Sequence, residues 1–475
     1  MKMKSLPVAV ALACATAIPA AQATNGYMSH AYSPTAKGLA GAGEAALPQD
    51  SLAIVGNPAG LTRVGRRADV GLAWFSPRRK YDGINPFLGD GAVAPIGGGI
   101  DGTGTVRSEN TDFFVPNFGY TYPIDNVSAV GVAVFGNGGM NTDYRSRDTL
   151  SFFGTHLGTY GGNSPNNIFG LGGGNAGVNL EQLGISIGYA RDVAQNISLG
   201  ASFLIGYQTF EAKGLGAFAP FTKTTAESIA ANPFNPNAWA APTSLTDKDE
   251  DSSWGYGFQI GALWDINPQL TLGISYRTKM WMDEFDDYSD LFADGGNFDL
   301  PPVGSIGLAY KPNDRLTLAF DVQQIWYGDI DAVSNKNELA QKCDVFGLFG
   351  GTYDSSYCLG GSKGAGFGWD DMTIFKFGVQ YEFNNQWTGR AGFSYADQLI
   401  DGQEVAFNTL APAVIKQHWT LGATWRLRDN YEVDFWGAYM PEETVKGPGA
   451  FTGTQAPEIS MTQYELGVNF RWLFN

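Results

Sequence analysis

Tyr464-Glu465-Leu466-Gly467-Val468-Asn469-Phe470-Arg471-Trp472-Leu473-Phe474, near the end of the chain, sets apolar against polar or small side chains at every second position. Tyr464, Leu466, Val468, Phe470, Trp472 and Phe474 fall on one face of an extended strand, and Glu465, Gly467, Asn469 and Arg471 on the other, with Leu473 the single exception. The same design recurs upstream. Trp254, Tyr256, Phe258, Ile260, Ala262 and Trp264 alternate with Gly255, Gly257, Gln259, Gly261 and Leu263, and Trp419, Leu421, Ala423, Trp425 and Leu427 with Thr420, Gly422, Thr424 and Arg426. Leu272, Ile274, Tyr276, Thr278 and Met280 alternate with Gly273, Ser275, Arg277 and Lys279.

Alternation by itself also fits a soluble sandwich, whose apolar face would be its core. The spacing decides for a membrane barrel. Segments of about ten residues carry aromatics near their ends, and short turns alternate with long connections, as transmembrane strands require. Fourteen such segments run from 68–80 to 460–474, with the third at 127–147, the seventh at 269–286 and the ninth at 314–330. Asp125-Asn126, Asn267-Pro268, Asn313-Asp314, Asn384-Asn385 and Asp429-Asn430 mark tight turns, whereas 214–251 and 331–370 are long connections. The expectation is an all-β fold, a 14-stranded antiparallel transmembrane β-barrel over residues 68–475, with turns on the periplasmic side and long loops outside.

Composition agrees. Of 475 residues, 63 are glycine, 13% are aromatic and 16% are charged, and a mean hydropathy of −0.14 is too polar for a bundle of membrane helices. No run of about 18 apolar residues follows the first segment, so any membrane crossing must use strands. A net charge of −17 argues against a nucleic-acid partner, which needs a basic face. Residues 1–23 read as a signal peptide, with Lys2 and Lys4, an apolar centre from Leu6 to Ala20 and Ala21-Gln22-Ala23 before Thr24. A lipoprotein signal at Cys14 would want leucine where Ala11 stands. Removing the signal leaves Cys343 and Cys358 in one Gly-rich stretch, which reads as a loop disulfide; two reduced thiols or half a metal site are the alternatives, with no histidine near.

Residues 24–67 do not alternate. They are rich in glycine and alanine and contain Asn57-Pro58-Ala59-Gly60, a turn-forming corner with a fixed proline φ. Tied to a barrel, such a segment either hangs in the periplasm or folds into the lumen. Gly136, Gly138 and Gly139, beside Phe135, stand close together in the third strand, where glycine permits a bulge or bend, or close packing against another segment.

Thr24-Asn25-Gly26-Tyr27, Lys37-Gly38-Leu39-Ala40-Gly41-Ala42-Gly43 and Asn57-Pro58-Ala59-Gly60, followed by Val132 to Thr142, Leu300-Pro301-Pro302 and the strand pair from His418 to Tyr439, resemble the long-chain fatty acid transporter (FadL) family of outer-membrane proteins, which includes aromatic hydrocarbon transporters. The resemblance covers essentially the whole mature chain. It implies a barrel plugged by an N-terminal hatch over 24–67, held at Asn57, Pro58 and Ala59. It also implies an external apolar groove, an internal pocket near the N-terminus that makes Tyr27 a candidate ligand contact, and a lateral opening beside a third strand kinked at Phe135, Gly136, Gly138 and Gly139. The function it implies is uptake of fatty acids or other hydrophobic compounds by facilitated diffusion in the bacterial outer membrane. The partners implied are the ligand, outer-membrane lipid and lipopolysaccharide, with the protein a monomer. A general porin with an aqueous pore is the rival.

A carboxylate ligand would want a cation in a low-dielectric pocket. Arg277, Lys279, Lys376 and Arg390 fall on the inward face, where the alternative role is pairing with acids such as Asp283 and Glu382. Enzymatic readings are weaker. Gly184-Ile185-Ser186-Ile187-Gly188 spells a nucleophile elbow, but it continues a strand where that motif needs a strand-to-helix turn. His30, His156 and His418 sit at no metal-ligand spacing, and neither cofactor nor metal is expected, although acidic stretches at Asp247 to Asp251 and Asp283 to Asp290 leave a calcium site open. Gly97 to Gly104 reads as a flexible connection between the first two strands. Outer-membrane strands commonly end on an aromatic residue, whereas Phe474 is followed by Asn475.

Overall fold

The computed structural model describes residues 24–82, 105–145, 151–152, 155–156, 175–347, 350–405, 407–447 and 458–474. The signal peptide and the Gly97 to Gly104 stretch lie outside them. Fourteen long strands follow in order: β1 Arg67–Asp82, β2 Phe113–Pro123, β3 Ser128–Asn141, β4 Gly177–Ala194, β5 Ile197–Lys213, β6 Asp251–Asn267 and β7 Leu270–Arg277. Then come β8 Val303–Asn313, β9 Leu316–Ile325, β10 Met372–Glu382, β11 Trp387–Ala396, β12 Gln417–Arg428, β13 Tyr431–Lys446 and β14 Glu458–Leu473. Each pairs antiparallel with its neighbours in the chain, and β14 returns to β1 from Arg67↔Leu473 to Asp82↔Glu458, so the sheet closes as a barrel. Two short strands, Val106–Arg107 on β1 and Trp281–Met282 on β6, extend its rim.

Side-chain alternation turns into two walls. Leu421, Ile260, Leu466 and Phe470 point outward and are exposed, whereas Glu465, Asn469, Gln208 and Ser186 point inward and are fully buried. A face this apolar is stable only against lipid, and closing the sheet removes every edge that lipid could not satisfy. Tight links of two to four residues, such as 195–196 and 124–127, join strands at the end where β1 begins, and long connections join them at the other.

The largest departures from the alternation reading are at the ends of three segments, where side-chain period is a poor guide to hydrogen bonding. The third strand ends at Asn141 instead of 147, and the ninth ends at Ile325, where a short 3-10 turn at Tyr327–Asp329 takes over. The seventh breaks after Arg277, resuming only as Trp281–Met282 on β6, while Met280 bridges Leu300. At the other end, Arg67 already pairs with Thr121 and so belongs to β1.

Residues 24–66 form short turns and helices pressed against the inner wall. A Cβ added at Gly273 would lie 1.8 Å from the Ala45 carbonyl oxygen, and one at Gly392 2.0 Å from the Leu39 carbonyl carbon. Glycine is required at these inward positions because backbone meets backbone there. Charge ties the same surfaces together. Arg471 reaches Asp69 (3.1 Å), Glu432 (2.6 Å) and Asp434 (2.7 Å) across three strands, and Asp69 accepts from the Ser51 amide (2.9 Å) and hydroxyl (2.5 Å).

Candidate functional site

Beside β3 the hydrogen-bonded wall is interrupted. The β2–β3 ladder runs only from Pro123↔Ala129 to Phe118↔Val134, leaving Phe113–Asn117 of β2 and residues 135–141 of β3 without ladder pairing to each other. Chain returns above this stretch, where the Glu109 amide donates to the Asp143 carbonyl at 2.9 Å. The result is a bounded window in the hydrogen-bonded wall. On its inner side, residues 27–29 take the place of β2: the Gly139 amide donates to the Tyr27 carbonyl (2.8 Å), the Ser29 amide to the Asn137 carbonyl (3.1 Å), and Met28 bridges Gly138.

Local chemistry explains the departure. Against β4, Gly136 pairs with Leu183 and Gly138 with Gln182, so Asn137 is an inserted residue, a β-bulge that turns the strand inward. A Cβ on Gly138 would fall 1.7 Å from the Tyr27 oxygen, so only glycine admits this backbone approach. Phe135 turns its ring onto Gly184 and meets Tyr32 edge-on at 5.0 Å. Gly136 lies against Val115, 2.6 Å from a built Cβ to a valine methyl, which narrows the window in this conformation.

Tyr27 sits where aromatic side chains converge. Its ring packs on Phe298 (5.7 Å), Tyr327 (5.2 Å) and Trp369 (5.7 Å). From there, contacts continue outward through Phe292 and Phe210 on one side and through Phe367, Phe407 and Phe218 on the other. A chain of rings thus joins the outer connections to the N-terminal segment, a surface suited to apolar molecules because stacked rings offer area without polar demands.

The four inward cations part company. Arg277 is buried, donates to Asn137 Oδ1 (3.1 Å) and the Met28 sulfur (3.6 Å), and lies over the Tyr32 ring. Among the described residues no carboxylate comes within 4.0 Å of it. Lys376 is occupied by the His30 carbonyl (3.0 Å) and Glu44 (3.8 Å). Lys279, beyond the end of β7 and one-third exposed, pairs with Asp299 at 2.8 Å. Arg390 is spent on Gln380, Thr424 and Gln49, near the tight-turn end. Asp283 and Glu382 are exposed and pair with none of the four; Glu44 and Asp299, from elements that do not alternate, do so instead.

Asn57 ties its corner to the wall, donating to the Ala45 (2.7 Å) and Ala262 (3.1 Å) carbonyls and accepting from the Ala59 amide (3.1 Å). Pro58 and Ala59 press on Gly200 of β5. The histidines are less scattered than their spacing suggests. His30 stacks on His418 (5.4 Å), which contacts the Ser394 hydroxyl (3.0 Å), and His30 lies 3.7 Å from Glu465, whose firm partners are Lys37 (2.6 Å) and the Trp436 indole (2.7 Å). Burial first, with Lys37 and Lys376 alongside, holds the His30 imidazole well below its ordinary pKa, so Lys37 carries the charge opposite Glu465. The His156 side chain lies outside the described residues.

Cys343 and Cys358 are disulfide-bonded, 15 residues apart, within the outer connection after β9. A loop of that length is worth about 3 kcal/mol. Changing Cys343 to serine is therefore expected to raise hydrogen exchange across 330–370 while barrel amides stay protected; equal protection with and without the bond would count against this. Ser186 points inward, buried, and its hydroxyl has no hydrogen-bond partner. Asp290 is satisfied by Thr224, Thr243 and Ser244, and among the described residues no cluster of three or more His, Cys, Asp or Glu is placed to hold a metal. An open apolar hollow of about 1070 Å³ lies on the outside of the wall, lined by Phe320, Phe377, Trp419, Leu421 and Tyr439, and is a lipid-facing surface apart from the window.

Asn137, Tyr32, Tyr327 and Trp369 escaped the sequence reading. Asn137 did carry a signal, as a lone amide between glycines in an apolar strand; the rings lie on loops with no period to betray them.

Comparison with known proteins gives one answer. The profile of the outer membrane protein transport protein family (OMPP1/FadL/TodX) matches residues 12–161 and 166–450. The long-chain fatty acid transport protein of Escherichia coli O6:H1 is 22% identical over 494 residues, covering all of both chains. Outer membrane protein P1 of Haemophilus influenzae is 22% identical over 86% of this chain and 84% of its own. The crystal structure of the Pseudomonas putida toluene transporter TodX superposes with a TM-score of 0.63 at 17% identity, over 94% of this chain and 99% of that one. The chain belongs to this family of outer-membrane transport proteins, the OMPP1/FadL/TodX family, and is an outer-membrane β-barrel.

Proposed function

We propose that the protein takes up long-chain fatty acids or other hydrophobic compounds by facilitated diffusion, and that cargo leaves sideways through the window between β2 and β3. The observation that carries the reading is the exchange of partners at β3, where residues 27–29 replace β2 along 137–139. An apolar molecule leaving there enters hydrocarbon directly, without crossing the aqueous space as a solute. Residues 24–66 act as the hatch, with Asn57, Pro58 and Ala59 as its anchor, and the ring chain above Tyr27 leads cargo inward. The protein works as a monomer in outer-membrane lipid and lipopolysaccharide, with no covalent step.

What favours this over an aqueous pore is the seating of residues 24–66 inside the barrel, backbone against backbone at Gly273 and Gly392. Among the described residues, the cavities beside Arg79 and Met140 and beside Arg277 and Gln259 measure about 20 Å³ each, space for about one water apiece. The names of the relatives, a fatty acid transport protein and a toluene transporter, point to the same class of cargo.

A reversible lock tests the exit. Val115 and Gly136 lie within disulfide reach, since a Cβ at 136 meets a Val115 methyl at 2.6 Å. In the Val115→Cys, Gly136→Cys double variant, oxidation is expected to stop uptake of labelled oleate and toluene, and reduction to restore it. Full uptake with the bond demonstrably formed would rule out this exit.

A further inference from the structure

The open hollow on the outer wall crosses the barrel from β7 to β14, and its volume of about 1070 Å³ matches a pocket for a sizeable ligand. Phe320, Phe377, Phe393, Trp419 and Tyr439, ladder partners in succession, line it as one row of rings. The adjacent row, toward the tight turns, is paired in the same way and sets Ala391 and Gly437 between the larger Val379, Leu421 and Leu466. Small residues stand on the inner face of the same strands too. A Cβ added at Gly378 would meet Leu39 at 2.9 Å and Ala42 at 3.1 Å, and one at Gly422 would meet the Gly38 Cα at 2.9 Å. The wall is therefore thin where Gly38 to Ala42 are seated, and the hollow is the outer side of that thin stretch.

The surroundings decide what fills it. The hollow is continuous with the lipid-facing wall, so hydrocarbon is the medium at its mouth. Water is excluded by chemistry, since a held water needs about two to four polar partners and these two rows offer only the Trp419 indole and the Tyr439 hydroxyl. A second copy in a two-fold pair would set hollow against hollow and leave both empty. Leu270 and Tyr310, at the lower end, adjoin the turns at 268–269 and 314–315, which places that end beside the headgroups of the turn-side leaflet.

We propose that the hollow is a binding site for an acyl chain of a turn-side phospholipid, and that the bound chain backs the wall where Gly38 to Ala42 are seated. Lipid tails are as apolar as the wall, so the gain is packing: fixed rings hold the chain in closer contact than its fluid neighbours do. Without the chain, the thin wall lacks support on its outer side and the seat of 38–42 loosens. The site rests on the barrel's place in the membrane and is independent of the cargo route at the window.

The test uses purified full-length protein in detergent, palmitoyl-oleoyl-phosphatidylethanolamine as the probe and native mass spectrometry as the readout. The unaltered protein is expected to retain the phospholipid. The Ala391→Trp, Gly437→Trp double variant, whose indoles fill the hollow, should bind it about tenfold or more weakly. Ile187→Trp, at an exposed outward position on β4 outside the hollow, should bind it as the parent does. Hydrogen exchange at 38–42 should slow when the lipid is added to the parent, a reading that needs no variant. Equal binding by parent and double variant, an equal loss in Ile187→Trp, or unchanged exchange at 38–42 would overturn the proposal. Two other outcomes would replace the occupant: displacement of the phospholipid by equimolar oleate makes the hollow a cargo seat, and a dimer seen for the parent and lost in the double variant makes it a contact between copies. Uptake of oleate and toluene by the parent tests the transport reading separately, so the two can fail independently.

Discussion

Replacing Gly138 with valine is expected to lower uptake of both oleate and toluene by about tenfold or more while the barrel still folds. The β-carbon alone would stand 1.7 Å from the Tyr27 carbonyl oxygen, a contact no side-chain rotation relieves because the obstacle is backbone. Residues 27–29 must then leave β3, which strips the Gly139 amide and the Asn137 carbonyl of their partners. Each buried group left unsatisfied costs about 1–3 kcal/mol, enough to rearrange the inner side of the window. Ladder bonds to β4 continue on both sides of the bulge, so strand and barrel persist. Gly136→Val is the natural comparison, since its obstacle is a Val115 methyl, which can give way. Uptake assays on cells with matched surface levels decide the matter; a Gly138→Val protein as active as the parent would show that the junction between residues 27–29 and β3 is not part of the route.

Replacing Glu465 with glutamine should open a leak. Lys37 meets Glu465 at 2.6 Å with both side chains nearly or fully buried, and Trp436 and His30 lie beside the pair. Removing one member of a buried pair costs about 3–5 kcal/mol, because the other charge is stranded. His30 brings no negative charge to replace the carboxylate, and Lys37 belongs to the short helix Pro34–Lys37 that packs on β12, β13 and β14. The strain therefore falls on the seating of residues 24–66. The expected result is measurable ion conductance in planar bilayers and greater uptake of hydrophilic solutes than the parent allows. A variant as closed as the parent would mean that this ion pair does not hold the segment in place.

How much of this was legible beforehand varies with the kind of interaction. The outward faces of β6, β12 and β14 were readable residue by residue, because lipid imposes one rule on every outward position and the period of a strand is two. Strand ends were less so. The seventh strand keeps alternating through Met280, yet its ladder stops at Arg277, since pairing depends on where β8 begins and not on the local pattern. The inward cations show the sharpest limit. Alternation gave Arg277, Lys279, Lys376 and Arg390 the same standing, and their different fates follow from Asp299, Glu44 and Gln49, which lie outside the strands.

By itself, then, the chain's pattern determined an exported, closed barrel with a non-alternating segment ahead of it, because export signals and lipid-facing strands are written in local order. Only the tertiary structure decided that residues 27–29 replace β2 along β3, that Asn137 is the inserted residue, and that Arg277 and Arg390 donate to neutral groups whereas Lys279 and Lys376 face carboxylates. Those outcomes depend on which backbones approach closely enough to share hydrogen bonds, and residues more than 100 positions apart meet there only once the barrel has closed.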